Sequence, residues 1–170
     1  SMQVLIIAFI IVSFIKNPKF YLYLWGFSFV VAALGVTSFQ HLFAGFTDDH
    51  GAGYLFADGT DAYITGFRLD FIIYSAMPVM LGIYLIYKKG LKHKGYNFLF
   101  NLYVLANSVW MLCMYASFTN RIAYLSWQLL PIVLIYPYFT SKFSELQYRQ
   151  VSYIALAHLS FTLFMNIIYY

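Results

Sequence analysis

Charge is what this sequence has least of. Asp, Glu, Lys and Arg make up only 9% of its 170 residues, where a soluble domain carries about 25%. That shortfall excludes an ordinary water-solvated surface. Between Gly95 and Ser141 the sole formally charged side chain is Arg121. Cysteine is nearly absent as well. A lone Cys113 excludes an intrachain disulfide and reads as a small apolar packing residue. Internal repeats and low-complexity tracts are missing, so residues 1–170 read as one domain.

What the chain does have is apolar bulk: 62% hydrophobic residues and a mean hydropathy of +0.72. Lipid solvates such a surface, and in lipid the backbone must satisfy its own hydrogen bonds, which favours helices. The expectation is an all-α, polytopic integral membrane bundle of about six transmembrane helices. Spans of roughly 20 residues are read at Val4–Ile15, Phe20–Phe39, Leu69–Tyr87, Tyr96–Phe118, Ile122–Phe139 and Val151–Tyr169. The first is too short to cross comfortably and lacks the charged start and cleavage site of a signal peptide. With Ser1-Met2 resembling a tag remnant, the chain reads as a piece of a longer protein. Pro78, Pro131 and Pro137 fall inside spans, where kinks are expected. The 35 Tyr and Phe residues read as interfacial belt and helix packing.

The net charge of +4 is not read as a nucleic-acid signal, because its distribution is what carries information. Lys16, Lys19, Lys88, Lys89, Lys92, Lys94, Lys142 and Arg149 fall in alternate connections, which the bias of Lys and Arg assigns to the cytoplasm. The loop 40–68, holding four of the six acids, and the Thr119-Asn120-Arg121 turn are then extracytoplasmic. The loop is rich in Gly and aromatic residues and is expected to fold back on the outer face.

Polar residues recur at helical spacing: Asn97, Asn101 and Ser108; then Arg121, Tyr124 and Gln128; then His158, Thr162 and Asn166. Each set is expected to face other helices or a wet cavity. His158 reads as a hydrogen-bonded packing residue, since a proton relay would need a carboxylate at similar depth.

Two arginines stand at the outer mouths, Arg68 and Arg121. Asp70 falls in the first turn of its helix, where the dipole favours an acid. Two residues apart on a helix, Arg68 and Asp70 point to different sides and are not expected to pair with each other. A guanidinium fork suits phosphate oxygens, and backbone N–H groups at the helix start beside Arg121 aim the same way. Tyr124 and Trp127, one and two turns on, offer faces for sugar rings; packing is the alternative. In the loop, Asp49 and His50 are candidate substrate contacts or a general base. With Asp48 they could hold a divalent ion, although the spacing fits no defined calcium loop; no metal or cofactor is expected.

The segments GFRLDFIIYS (66–75), KKGLKHKGYNFLFNLYVLANSVW (88–110) and ASFTNRIAYLSWQLLPIVLIYP (116–137) resemble the EpsG-like family of bacterial membrane proteins, grouped with Wzy-type polysaccharide polymerases. NRIAYLSW with a preceding FR-x-D carries most of the likeness, and Arg68, Asp70, Asn120, Arg121 and Trp127 stand on matching positions. The resemblance implies a glycosyltransferase of exopolysaccharide, capsule or O-antigen assembly. Such an enzyme joins oligosaccharide repeat units, carried on undecaprenyl diphosphate, at the outer face of the cytoplasmic membrane. The implied partners are the lipid-linked oligosaccharide, membrane lipids and other polysaccharide assembly proteins. Alternatives from the residues are a transporter or flippase of lipid-linked sugars, a non-enzymatic assembly subunit, or a sugar acyltransferase using His50 or His41.

Overall fold

The computed structural model describes residues 2–39, 66–116, 119–143 and 145–169. Among them all regular structure is helical: α1 (Met2–Phe14), α2 (Pro18–Ala33), α3 (Leu69–Ile83) continued by a π-helical turn (Tyr84–Lys88), α4 (Lys94–Leu112), α5 (Thr119–Trp127), α6 (Leu130–Thr140) and α7 (Gln147–Tyr169). The all-α expectation holds. The larger part of the 40–68 loop, with Asp48, Asp49 and His50, lies outside the described residues.

Local chemistry sets the helix boundaries. Asn17 caps α2, its Oδ1 accepting the Lys19 N–H at 3.1 Å with Pro18 following in the first turn. At the other end Gly35, at φ 70°, makes the left-handed turn that closes the helix. The Val36 N–H then reaches the Val31 carbonyl and the Gly35 N–H the Ala32 carbonyl. His93 caps α4 through its Nδ1, which accepts the Tyr96 N–H at 3.1 Å. The helical stretch 119–140 is interrupted by a tight turn at Gln128–Leu129, where the Leu129 N–H bonds three residues back to Ser126. Pro131, which lacks an N–H, follows at once and starts the next helix. Pro78 and Pro137 are buried inside helices that continue through them.

Helix α4 is the centre. It packs against α1, α2, α3, α5 and α6, and every residue from Phe100 to Ser108 is buried. Burial without a 3.6-residue rhythm means protein on all sides. Contact is close enough that a Cβ on Gly82 of α3 would overlap the ring of Phe100. Several polar groups of α4 have named partners, while the Tyr96 hydroxyl, Oδ1 of Asn97 and Asn101, and the Trp110 indole N–H are buried without one among the described residues. Tyr103 donates its hydroxyl proton to the Ser75 carbonyl at 2.6 Å. Asn107 accepts the Trp25 indole N–H at 2.8 Å and bonds Ser126 at 3.4 Å. Asn101 donates to the Lys16 carbonyl at 3.3 Å.

Several described helices carry apolar residues on their exposed faces. Helix α7 exposes Tyr153, Leu156, Leu159, Leu163, Phe164 and Ile167; α1 exposes Ile6, Ile7, Phe9, Ile10 and Phe14. Soluble monomers rarely expose contiguous apolar patches beyond a few hundred Å². Among the described residues, two helical stretches are long and apolar enough to cross a membrane: Leu69–Lys88 and Ile122–Thr140. Helix α4, read from sequence as a span, is more polar than these because it faces protein.

One expectation about faces is corrected. Tyr124 and Gln128 of the Arg121 stripe point outward, Tyr124 being 51% exposed, while Ala123 and Ser126 are the buried side of α5. On α7 the expectation holds for His158 and Thr162: both reach Tyr74 of α3, and the Thr162 hydroxyl also donates to the His158 carbonyl at 2.9 Å. Spacing alone identified a common face but not which way it looked.

Candidate functional site

The connections at 15–17, 89–93 and 141–143 lie at one end of the bundle. The Asn101 bond to Lys16 fixes the first of these. The Tyr136 ring beside His93 and the Phe143 ring beside Tyr138 fix the others. The start of α3, the end of α4 and the start of α5 lie at the other end. There the Arg68 N–H donates to the Met114 sulfur at 3.3 Å.

Arg68 is the residue before α3, at φ −112° and ψ 83°, so it is extended and not helical. That geometry turns its side chain along the helix and onto Asp70. Nη2 donates to Oδ2 at 2.9 Å and Nε to Oδ1 at 3.2 Å. The expectation that these residues point apart is therefore wrong, because it assumed two helical residues. The guanidinium also lies over the Phe71 ring, 4.3 Å from its centroid. A cation on a ring face is favoured, more so as water is excluded, and the Arg68 side chain is only 15% exposed.

Beneath this pair lies an aromatic platform with Trp127 at its hub. Phe71 stacks on Trp127 at 5.0 Å between centroids, and Trp110, Tyr74 and Tyr124 meet Trp127 edge-on. Tyr74 in turn stacks on Phe161 at 5.0 Å and shares a 2.8 Å hydrogen bond with Nε2 of His158. His158 is thus a hydrogen-bonded packing residue, as expected. The indole N–H groups of Trp110 and Trp127 and the Thr119 hydroxyl are buried and have no partner among the described residues. Each unpaired buried donor costs about 1–3 kcal/mol, and such groups call for an acceptor from solvent or ligand.

Of the sequence-predicted site residues, the structure brings Arg68, Asp70 and Trp127 together, with Tyr124 on the outer edge of the platform. Arg121 and Asn120 occupy the first turn of α5 at the same end, and their side chains lie outside the described residues, as do Asp49 and His50. Sequence reasoning missed Phe71, Tyr74 and Trp110 as members of this group. Phe71 could have been found, since it follows Arg68 by three residues. Trp110 could not, because its place depends on how α4 and α5 meet.

In chemical terms this end holds a guanidinium paired bidentately with a carboxylate and flat apolar rings beneath it, and the bundle holds buried N–H and O–H donors without a described partner. Among the described residues no group of three His, Cys, Asp or Glu side chains gathers as a metal site. The chain matches no protein-family model, and no curated protein or solved structure is similar to it.

Proposed function

We propose that this chain is the membrane-embedded part of a polysaccharide polymerase-type glycosyltransferase, acting on lipid-linked oligosaccharides at the outer face of a bacterial cytoplasmic membrane. In this reading about six helices span the bilayer. The end carrying eight of the ten Lys and Arg residues, with Glu145 as its only acid among the described residues, is cytoplasmic. The Arg68 mouth is then extracytoplasmic.

The observation that carries the proposal is the Arg68–Asp70 pair on the Phe71–Trp127 stack, beside three buried donors without described partners. Sugars and diphosphates are rich in acceptor oxygens, and sugar rings lie flat on aromatic faces. When the glycosyl bond breaks, its electron pair leaves with the diphosphate. A guanidinium and indole N–H groups fixed nearby stabilise that growing charge, and in many enzymes such stabilisation supplies most of the rate enhancement. The attacking hydroxyl of the acceptor sugar loses its proton as the new bond forms, and Asp70 is the nearest described base. Arg121, in the first turn of α5, is the proposed second cation for the diphosphate.

The test uses the full-length protein in cells whose polymer depends on it. Arg68→Ala and Arg121→Ala are each expected to abolish long-chain polymer at normal protein level, with unpolymerised repeat units accumulating outside. Normal polymer from both variants removes the catalytic reading. Repeat units accumulating on the cytoplasmic side instead indicate a transporter.

A further inference from the structure

Two clefts open at the end of the bundle away from Arg68. One, of about 360 Å³, lies between the π-turn that ends α3, the last turn of α6 and the first turns of α7; Tyr84, Leu85, Lys89, Tyr138, Gln150 and Tyr153 line it. The other, of about 470 Å³, lies across Tyr138 and includes Lys142 and Glu145. Ligand sites commonly measure about 300–1,000 Å³. π-turns inside helices are frequent at functional sites, and this one is well formed, with the Lys89 N–H bonding the Tyr84 carbonyl five residues back at 3.1 Å.

We propose that the first cleft seats the headgroup of an anionic phospholipid, its phosphodiester beside Lys89 and its acyl chains running down the outside of α3 and α7. This rests on the membrane reading above but not on the chemistry at Arg68.

Charge points to an anion. Among the described residues the only ion pair is Arg68–Asp70, so no described carboxylate lies within ion-pair distance of Lys89. Its ammonium sits 5.8 Å from the Tyr84 ring centroid. Polar donors stand beside it. The Gln150 amide lines the cleft, and the Tyr153 hydroxyl accepts the Arg149 Nε–H at 3.3 Å, leaving its own proton to donate.

The shape points to an amphiphile. Tyr84 and Tyr153, the exposed lips of the cleft, each end an exposed apolar stripe. Ile73, Met80 and Tyr84 follow one face of α3; Tyr153, Leu156, Leu163 and Ile167 follow one face of α7. A free anion would use the charge and ignore the stripes; a phospholipid uses both. The floor is also fixed in place. Buried Gln147 donates to the Tyr138 carbonyl at 3.0 Å and accepts the Phe143 N–H at 3.0 Å, tying the connection to α6. Basic pockets between membrane helices are suited to anionic headgroups.

The full chain, purified in a neutral detergent, is titrated with dioleoyl phosphatidylglycerol and its bound lipid is counted by native mass spectrometry. Dioleoyl phosphatidylcholine and inorganic phosphate form the comparison arms. Phosphatidylglycerol is expected to be retained in preference to phosphatidylcholine, and Lys89→Gln should weaken it about fivefold. Tyr153→Ala, which removes a wall and a donor, should weaken it as well. Lys16→Gln, at the same end but outside the cleft, and Arg68→Ala, at the other mouth, should leave it unchanged. Equal retention of the two lipids, or an equal loss from Lys16→Gln, overturns the site. Displacement of phosphatidylglycerol by millimolar phosphate overturns the lipid as its occupant. A chain that stays soluble and monomeric without detergent overturns the membrane reading on which the site depends.

Discussion

Arg68 grips Asp70 with two parallel hydrogen bonds although a single residue separates them in sequence. Only one of the two is helical, and the bend at Arg68 brings the fork round to meet the carboxylate. Replacing Arg68 by Lys keeps the charge and loses the fork. On the proposed polymerase reading, polymer formation by Arg68→Lys should fall by about a hundredfold, the loss typical of one misplaced stabilising donor. The pair is partly exposed, so the stability of the variant should change by about 1 kcal/mol or less. Measuring activity and unfolding on the same preparation separates the two roles.

Asn107 joins three helices, accepting from Trp25 on α2 and bonding Ser126 on α5. Asn107→Leu leaves the Trp25 N–H without an acceptor and should lower stability by about 1–3 kcal/mol. The double variant Trp25→Phe, Asn107→Leu has no orphaned indole and should recover part of the loss. Thermal unfolding in detergent reads both, and equal losses from single and double variants would show that this bond contributes little.

Gly82 and Gly26 make a matched pair. Gly82→Ala forces a methyl into the fully buried Phe100 ring, while nothing lies within 4 Å of a Cβ on Gly26. The first should destabilise by about 1–3 kcal/mol; the second should be neutral or stabilise by up to about 1 kcal/mol, as expected for Gly to Ala in a helix. The order of their unfolding temperatures checks the α3–α4 contact directly.

Helix α7 is held to the rest by α6 and by the bond between Tyr74 and His158. A double-mutant cycle of Tyr74→Phe and His158→Leu should return a coupling of about 0.6 kcal/mol, with about 1.7 as the upper end for such bonds in membranes. Hydrogen exchange along α7 should rise in each single variant.

How legible all this was differs by element. The helical content follows from composition, while the helix starts at Pro18 and Lys94 fall two residues ahead of the expected Phe20 and Tyr96, where the Asn17 and His93 caps set them. The gathering of the basic connections at one end follows from their alternation along the chain. What could not be read is direction. Tyr124 and Gln128 share a face with Arg121, yet periodicity treats an outward face and an inward face alike. The Arg68–Asp70 bond escaped because it depends on one backbone torsion just outside a helix. The Trp127 hub escaped because its rings come from α3, α4 and α5, and no local rule sets how those three meet. Comparing α4 with α3 gives the same lesson: the more polar helix lies deeper, with Asn107 and Ser108 buried and hydrogen-bonded within the protein.

The partners of α4 have an order as well as a place. Asn101 bonds the backbone at Lys16, Asn107 bonds Trp25 and Tyr103 bonds Ser75, all upstream in the chain, while Ser126, Trp127 and α6 come later. When α4 leaves the ribosome, its two most demanding side chains therefore meet groups already synthesised. The helix least able to stand alone in lipid is the one whose company arrives first.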